Sequence, residues 1–216
     1  MHSANVARVM RLYSELADWF HLLTAPEDYV EEAAEIVWLA EAAGEGELRT
    51  LLELGSGGGN NASHLKARFA CTLTDLSEQM IELSQRLNPE CEHVAGDMRA
   101  LRLGRSFDVV LVHDAVMYMT TETDLRAALE TGFAHTRPGG VAVFLPDCTR
   151  ETLLEETRSG GHDGAGRSLR YLEWVRDPDP GDTTYEVDYV VALREGEAPL
   201  RIVHDHHVEG VFARED

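Results

Sequence analysis

Nowhere do the 216 residues run to eighteen consecutive apolar positions, and the opening MHSANVARVMRLYSELADWF holds neither a continuous apolar core nor a small-residue cleavage pattern. A membrane-spanning helix and a secretory leader are therefore not expected. Positive charge is scarce: 19 Lys plus Arg stand against 39 Asp plus Glu, a formal charge of −20. So acidic a surface repels a phosphate backbone, which excludes nucleic acid as the expected substrate or partner. Cysteine is scarcer still. Cys71, Cys91 and Cys148 are an odd count at wide spacings, fitting neither a disulfide framework nor a zinc site, and a reducing cytoplasmic setting follows. No self-similar period of roughly 20–50 residues is visible.

What is present is a chain long enough for one main core, with strands and helices in alternation. Apolar residues at helical spacing predict a helix over Glu27 to Ala43, stopped by Gly44. Short strands follow at Leu51 to Leu54, Ala70 to Thr74 and Glu92 to Ala95, with helices between them at Asn61 to Phe69 and Ser77 to Leu87, the second capped by Ser77. The run FDVVLVHD, Phe107 to Asp114, is unbroken apolar at its centre, as in a strand covered on both faces. A helix over Thr123 to Thr136 and a turn at Pro138-Gly139-Gly140 lead to a fifth strand, Val141 to Leu145. The expectation is an α/β parallel sheet with right-handed crossovers and helices on both faces. Beyond residue 147 the pattern changes to β-strands at Ser168 to Arg176, Thr183 to Leu193 and Leu200 to Val208. Residues 1–147 thus read as an α/β core with a helical N-terminal lid, and 148–216 as an antiparallel appendage of the same domain on the substrate side. The loop-like RSGGHDGAGR, Arg158 to Arg167, marks the main internal boundary.

The stretch LLELGSGGGN, Leu51 to Asn60, ends a strand in four glycines and a serine within five residues. Ligands of an open parallel sheet bind beyond the strands' carboxyl ends, and missing side chains there let a ligand lie against main-chain N–H groups. A nucleotide-like ligand is implied. Glu53, just before the glycines, works against a pyrophosphate but suits a cationic portion such as an amino acid ammonium. Asp75, 22 residues on at the end of the second strand, is placed to accept ribose hydroxyls. Asp97 and Met98 after the third strand are placed to read an adenine amino group and pack on its ring.

ELGSGGG, TDLS, GDM, FDVVLVHD and RPGG, in that order from Glu53 to Gly140, resemble the motifs of class I S-adenosylmethionine-dependent methyltransferases. Flanking segments, Leu16 to Ala34, Gly96 to Val110 and Asp205 to Phe212, are similar to the N,N-dimethyltransferases of nucleotide-linked amino sugars. The resemblance implies a Rossmann-like fold, S-adenosylmethionine as cofactor and a small-molecule acceptor methylated on an amine nitrogen. Cofactor contacts are then expected from Tyr13, Tyr29, Glu53, Gly55, Gly57, Asp75, Leu76, Asp97, Met98 and His113, and a lid from Tyr13, Trp19 and Phe20. Two rival readings stay open, an NAD-type oxidoreductase and a non-catalytic S-adenosylmethionine-binding module. A homodimer also stays open.

The sequence departs from that group at DAVMY, Asp114 to Tyr118, where the sugar enzymes look more like SSxGH or SSxGY. It also stops at Asp216, where they continue with a helix and a hairpin; either the chain is cut short or the terminal strands close the sheet themselves. Asp114 and Tyr118 follow the strand that borders the methyl group in this fold, so they are the leading catalytic pair. His207, from the HDHH run His204 to His207, matches the family and is assigned a substrate-side role. Alternation along a strand puts His204 and His206 on one face and Asp205 and His207 on the other, too few ligands per face for a metal. Arg167, Arg170 and Arg176 are candidates to hold a diphosphate if the acceptor carries one.

Overall fold

The computed structural model describes residues 10–214; the first nine positions of the expected lid lie outside the described residues. Five parallel strands, β1 (Thr50–Leu54), β2 (Ala70–Asp75), β3 (Glu92–Ala95), β4 (Phe107–His113) and β5 (Thr136–Leu145), lie in the order β3-β2-β1-β4-β5. Successive strands run outward from β1 in both directions, so the chain reverses between β1 and β4 and opens a crevice at their carboxyl ends. The apolar run of β4 is explained by its two faces. Val109 and Leu111 pack with Ile36 and Ala40 of the helix α2 (Val30–Ala43), whereas Val110 and Val112 pack with Ala128 of α5 (Glu122–His135) and with Met117.

A short α1 (Phe20–Leu23) precedes α2, and between α2 and α5 lie two further α-helices. The segment expected to be helical from Asn61 to Phe69 keeps α-helical form only over α3 (Ala62–Leu65), since beyond it the Ala67 and Arg68 N–H groups tighten to carbonyls three residues back, His64 O and Leu65 O, at 3.2 and 2.9 Å. α4 (Glu78–Leu87) does have its cap: Ser77 Oγ accepts from the Met80 N–H at 3.2 Å and donates to Tyr13 O at 2.5 Å. Ser77→Ala therefore removes a cap and a tie to the N-terminal segment, and is expected to lower unfolding free energy by about 1 kcal/mol in urea titration. β5 starts at Thr136, earlier than the sequence suggests; Pro138-Gly139-Gly140 interrupts its pairing with β4, with Gly139 at φ +75°.

The second sheet is antiparallel, in the order β10-β9-β8-β6, and comprises β6 (Thr157–Gly160), β8 (Arg167–Arg176), β9 (Thr184–Glu195) and β10 (Arg201–Gly210), with β7 (Asp163–Gly164) pairing β8. The stretch Arg158 to Arg167 is thus largely built into the sheet and is not a boundary. Its glycines permit close strand approach: a Cβ on Gly161 would sit 2.2 Å from Leu169 O. Leu169, Val191, Leu193 and Val203 cover Leu12, Leu16 and Trp19, while Val175, Tyr185 and Val187 join the β4 core, so the inner face of this sheet is packed onto the rest.

Candidate active site

A cavity of about 1160 Å³ lies beyond the carboxyl ends of β1, β2, β3 and β4, with Tyr13 and Phe20 of the N-terminal segment on one side and Tyr171, Glu173 and Tyr189 of the second sheet on another. Its volume exceeds the roughly 300–1,000 Å³ of a pocket for one small ligand, which leaves room for two reactants. Tyr29, Glu53, Gly55, Gly57, Asp75, Leu76, Asp97, Met98, His113, Asp114 and Tyr118 all border it; His207 and Trp19 do not.

The glycine loop owes its shape to backbone angles that side chains disfavour. Gly55, Gly57 and Gly59 have φ of +78°, +52° and +79°, and a Cβ on Gly55 would stand 2.3 Å from the Ala115 Cβ and 2.9 Å from the Met98 methyl. Gly55 and Ser56 donate to Thr74 O at 2.8 Å each, and the Gly57 N–H donates to Asp75 Oδ2 at 2.9 Å. Asp75 also accepts from the Ser77 N–H at 2.8 Å, which fixes its carboxylate at the cavity wall. Glu53 is only 3% exposed and its Oε2 has no hydrogen-bond partner. Burial pushes its carboxyl up to about 8 despite the opposing pull of His113. A buried acid with a free oxygen on a ligand cavity is matched to a cationic group.

Two expected cofactor contacts stand otherwise than the sequence suggests. Asp97 is taken up by Arg99, whose Nη2 lies 2.6 Å from its Oδ2 and whose Nη1 reaches Asp124 at 3.0 Å; its carboxylate is the anchor of an ion-pair chain. His113 sits between Glu32 Oε1 and Asp114 Oδ2, both at 3.1 Å. Burial lowers its pKa, but those two carboxylates outweigh it and raise it to about 10, so the ring is an imidazolium at neutral pH. Tyr29 Oη accepts from Thr24 Oγ1 at 2.9 Å.

On the acceptor side, Asp114 is the one non-glycine residue among those described with a positive φ, +39°, a strained backbone of the kind found at ligand sites. Its carboxylate stands near enough to act on that of Asp147, just past the end of the neighbouring β5, which the sequence reading missed. Loss of water to the surrounding cavity walls, then the proximity of Asp114, pushes the Asp147 carboxyl up to about 7, although the residue itself stays exposed on the open side of the cavity. Its position mirrors that of Asp114 one strand away, which is the signal that could have found it. Tyr118 Oη lies 2.7 Å from Tyr13 Oη and 3.0 Å from His207 Nδ1, and His207 Nε2 lies 3.1 Å from Asp205 Oδ2, which also accepts from the Leu12 N–H at 2.8 Å. His207 is fully buried behind Tyr118, so a direct contact with substrate is corrected to a supporting one. Trp19 likewise leaves the lid, buried beneath the guanidinium of Arg167 at 3.7 Å from its ring.

The three arginines expected to meet a diphosphate are occupied elsewhere: Arg167 by Trp19 and Glu195, Arg170 by Asp163, and Arg176 by Glu186 and Asp188. None borders the cavity. The HDHH alternation is as expected, and the outward His204 and His206 both bond Asp188 Oδ1, at 2.7 and 3.1 Å.

Residues 51–140 match the family model described as a methyltransferase domain. The dTDP-3-amino-3,6-dideoxy-alpha-D-glucopyranose N,N-dimethyltransferase of Streptomyces fradiae is 32% identical over 213 residues, 89% of this chain and 83% of that protein. The chain belongs to the S-adenosylmethionine-dependent methyltransferases. The dTDP-3-amino-3,4,6-trideoxy-alpha-D-glucopyranose N,N-dimethyltransferase of Streptomyces venezuelae is 33% identical over 66% of this chain, a match that spans 60% of that protein's own length. Among solved structures, Streptomyces venezuelae DesVI superposes with a TM-score of 0.82 at 25% identity, covering 93% of this chain and 84% of that one. S-adenosylmethionine-bound CalS10, an amino pentose methyltransferase from Micromonospora echinaspora, superposes with a TM-score of 0.74 at 25% identity over 87% and 78% of the two chains. The NAD-type alternative falls with this membership.

The residues present fit that family's cofactor. Glu53 supplies an unpartnered acid for its ammonium, the side-chain-free loop leaves space that a Cβ at Gly55 would fill, and Asp75 is a fixed carboxylate where a ribose can be gripped.

Proposed function

We propose that this methyltransferase alkylates the amine nitrogen of a small-molecule acceptor of the amino sugar class, and that the Asp114–Asp147 pair carries the proton chemistry. Bound S-adenosylmethionine supplies a methyl group on an already activated sulfonium, so the protein's tasks are positioning, water exclusion and removal of one proton from the amine. The relatives' own acceptors are dTDP-linked amino sugars, which supports the amine class. The observation that carries the reading is Asp147, a carboxyl held near neutrality on the cavity beside Asp114. His113 and Tyr118 cannot take the proton, the first being charged already and the second, buried, being held well above its ordinary value.

Tyr13 and Tyr118, edge to face with ring centroids 5.7 Å apart, support a dry wall between lid and acceptor. Residues 148 onward are read as the substrate-side wall of the same domain, in keeping with Tyr171, Glu173 and Tyr189 on the cavity. A cytoplasmic enzyme that leaves nucleic acid alone is in keeping with three free cysteines, a charge of −20 and the lack, among the described residues, of a helix long and apolar enough to cross a membrane. Exposed Leu172, Trp174, Val190 and Ile202 on the outer face of the second sheet are where a homodimer would form.

The test is formation of S-adenosylhomocysteine, with product mass, across a panel of amines, alcohols and amino sugars. Methylated amines are expected; binding of cofactor without turnover of any panel member would favour the non-catalytic module. Asp75→Ala should weaken S-adenosylmethionine binding by about 1–3 kcal/mol through lost charge-assisted hydrogen bonds, read by calorimetry. An unchanged affinity would take Asp75 out of the site.

A further inference from the structure

The acceptor half of the cavity has an unusual charge balance. Among the described residues, the cations on or behind it are already shared with acids: His113 with Glu32 and Asp114, His207 with Asp205 and Glu209, Arg158 with Glu156, and His204 and His206 with Asp188. The other two arginines on the cavity are spoken for as well, Arg11 by Glu15 and Arg99 by Asp97 and Asp124. The chain's single lysine, Lys66, pairs with Glu90 and does not border the cavity. Four carboxylates, by contrast, face the cavity with no ion pair of their own among the described residues: Glu53 and Asp75 beside the glycine loop, and Asp147 and Glu173 on the other half. Asp147 stands beside another acid, Asp114, and Glu173 accepts only from Tyr189 Oη at 3.3 Å, with Arg158 acting on both from a distance. The charge of Glu209 bears on both.

A diphosphate brings about two negative charges and is held by arginine forks, lysines or helix N-termini. Placed against this wall it would meet carboxylates whose cations are all committed, and the three arginines outside the cavity are fixed to other acids. A cationic acceptor meets the opposite situation, since its ammonium would give Asp147 and Glu173 the partner they lack. Resting on the methyltransferase reading above, we propose that this chain selects a cationic amine acceptor carrying no nucleotide diphosphate, and that Asp147 and Glu173 are its specificity-determining contacts. The buried, unpartnered Glu53 Oε2 on the same cavity, 3% exposed, marks the other half as already assigned to a second positively charged ligand. Both reactants are thus received as cations by one continuous acidic lining.

The experiment is calorimetry on the protein saturated with S-adenosylhomocysteine, titrated with 3-amino-3-deoxyglucose and with the same sugar bearing thymidine diphosphate at its anomeric carbon. The free amino sugar is expected to bind at least about 10-fold more tightly than the conjugate. The paired substitution Asp147→Asn with Glu173→Gln should weaken the free amine about 10-fold or more, narrow the preference, and leave S-adenosylhomocysteine affinity and circular dichroism as in the parent. Tighter binding of the conjugate, no binding of the free amine, or an unchanged affinity in the paired variant each overturns the proposal while cofactor binding keeps the methyltransferase reading intact. Failure to bind S-adenosylhomocysteine at all removes that reading and the inference with it.

Discussion

Asp147→Asn should lower kcat/KM for the amine acceptor by about 10²–10⁴-fold, the usual contribution of a positioned general base, equivalent to about 3–5 kcal/mol. Asparagine keeps the size and can donate an amide N–H towards Asp114 but cannot take a proton. The sign of the pH dependence follows from the direction of the shift. The carboxyl is pushed up to about 7, so the competent, ionised form grows as pH rises through that value, and kcat/KM of the parent should climb with it. In the variant that limb should vanish, leaving the titration of the amine itself. His113 does not substitute, because with a pKa raised to about 10 it stays protonated across the range. A variant that retains both rate and pH limb would move the base elsewhere.

Gly55→Ala should cost nearly as much, by a different route. An alanine there must adopt φ +78° and must place its Cβ 2.3 Å from the Ala115 Cβ and 2.9 Å from the Met98 methyl, on a loop whose N–H groups are tied to Thr74 O. The left-handed backbone costs about 1–2 kcal/mol and the crowding about 1–3 kcal/mol more. Because Ala115 follows Asp114 directly, relief of the clash displaces the acceptor side too, and S-adenosylmethionine affinity should fall by about 100-fold in calorimetry. Gly104→Ala is the control: its φ is +69°, but a Cβ there meets nothing within 4 Å. It should lose only the backbone part of the stability and bind cofactor as the parent does. Equal losses in the two variants would show that backbone angle, not crowding, sets the loop's function.

Local chemistry made much of this molecule legible. The apolar run of β4, the Ser77 cap and the glycine bend each have a cause within a few residues, and they appear where the sequence places them. What escaped was decided by distant partners. β6 exists because Thr157 to Gly160 pairs with a strand that follows it. Glu32 has no partner within its own helix, and only the fold sets it 3.1 Å from His113. The inward side of His207 was readable from strand alternation; its burial behind Tyr118 was not, because that depends on the path of the N-terminal segment. Asp147 could have been suspected from its place after a strand, yet its shifted carboxyl needs Asp114 beside it.

The bond from the Leu12 amide to Asp205 closes a loop of 193 residues, and Tyr13, Tyr118 and His207 hang on the same thread. Closing so long a loop costs entropy before any contact rewards it, so this seam belongs to the late events of folding. On the ribosome, the parallel sheet can take shape while this seam still waits for β10 to emerge.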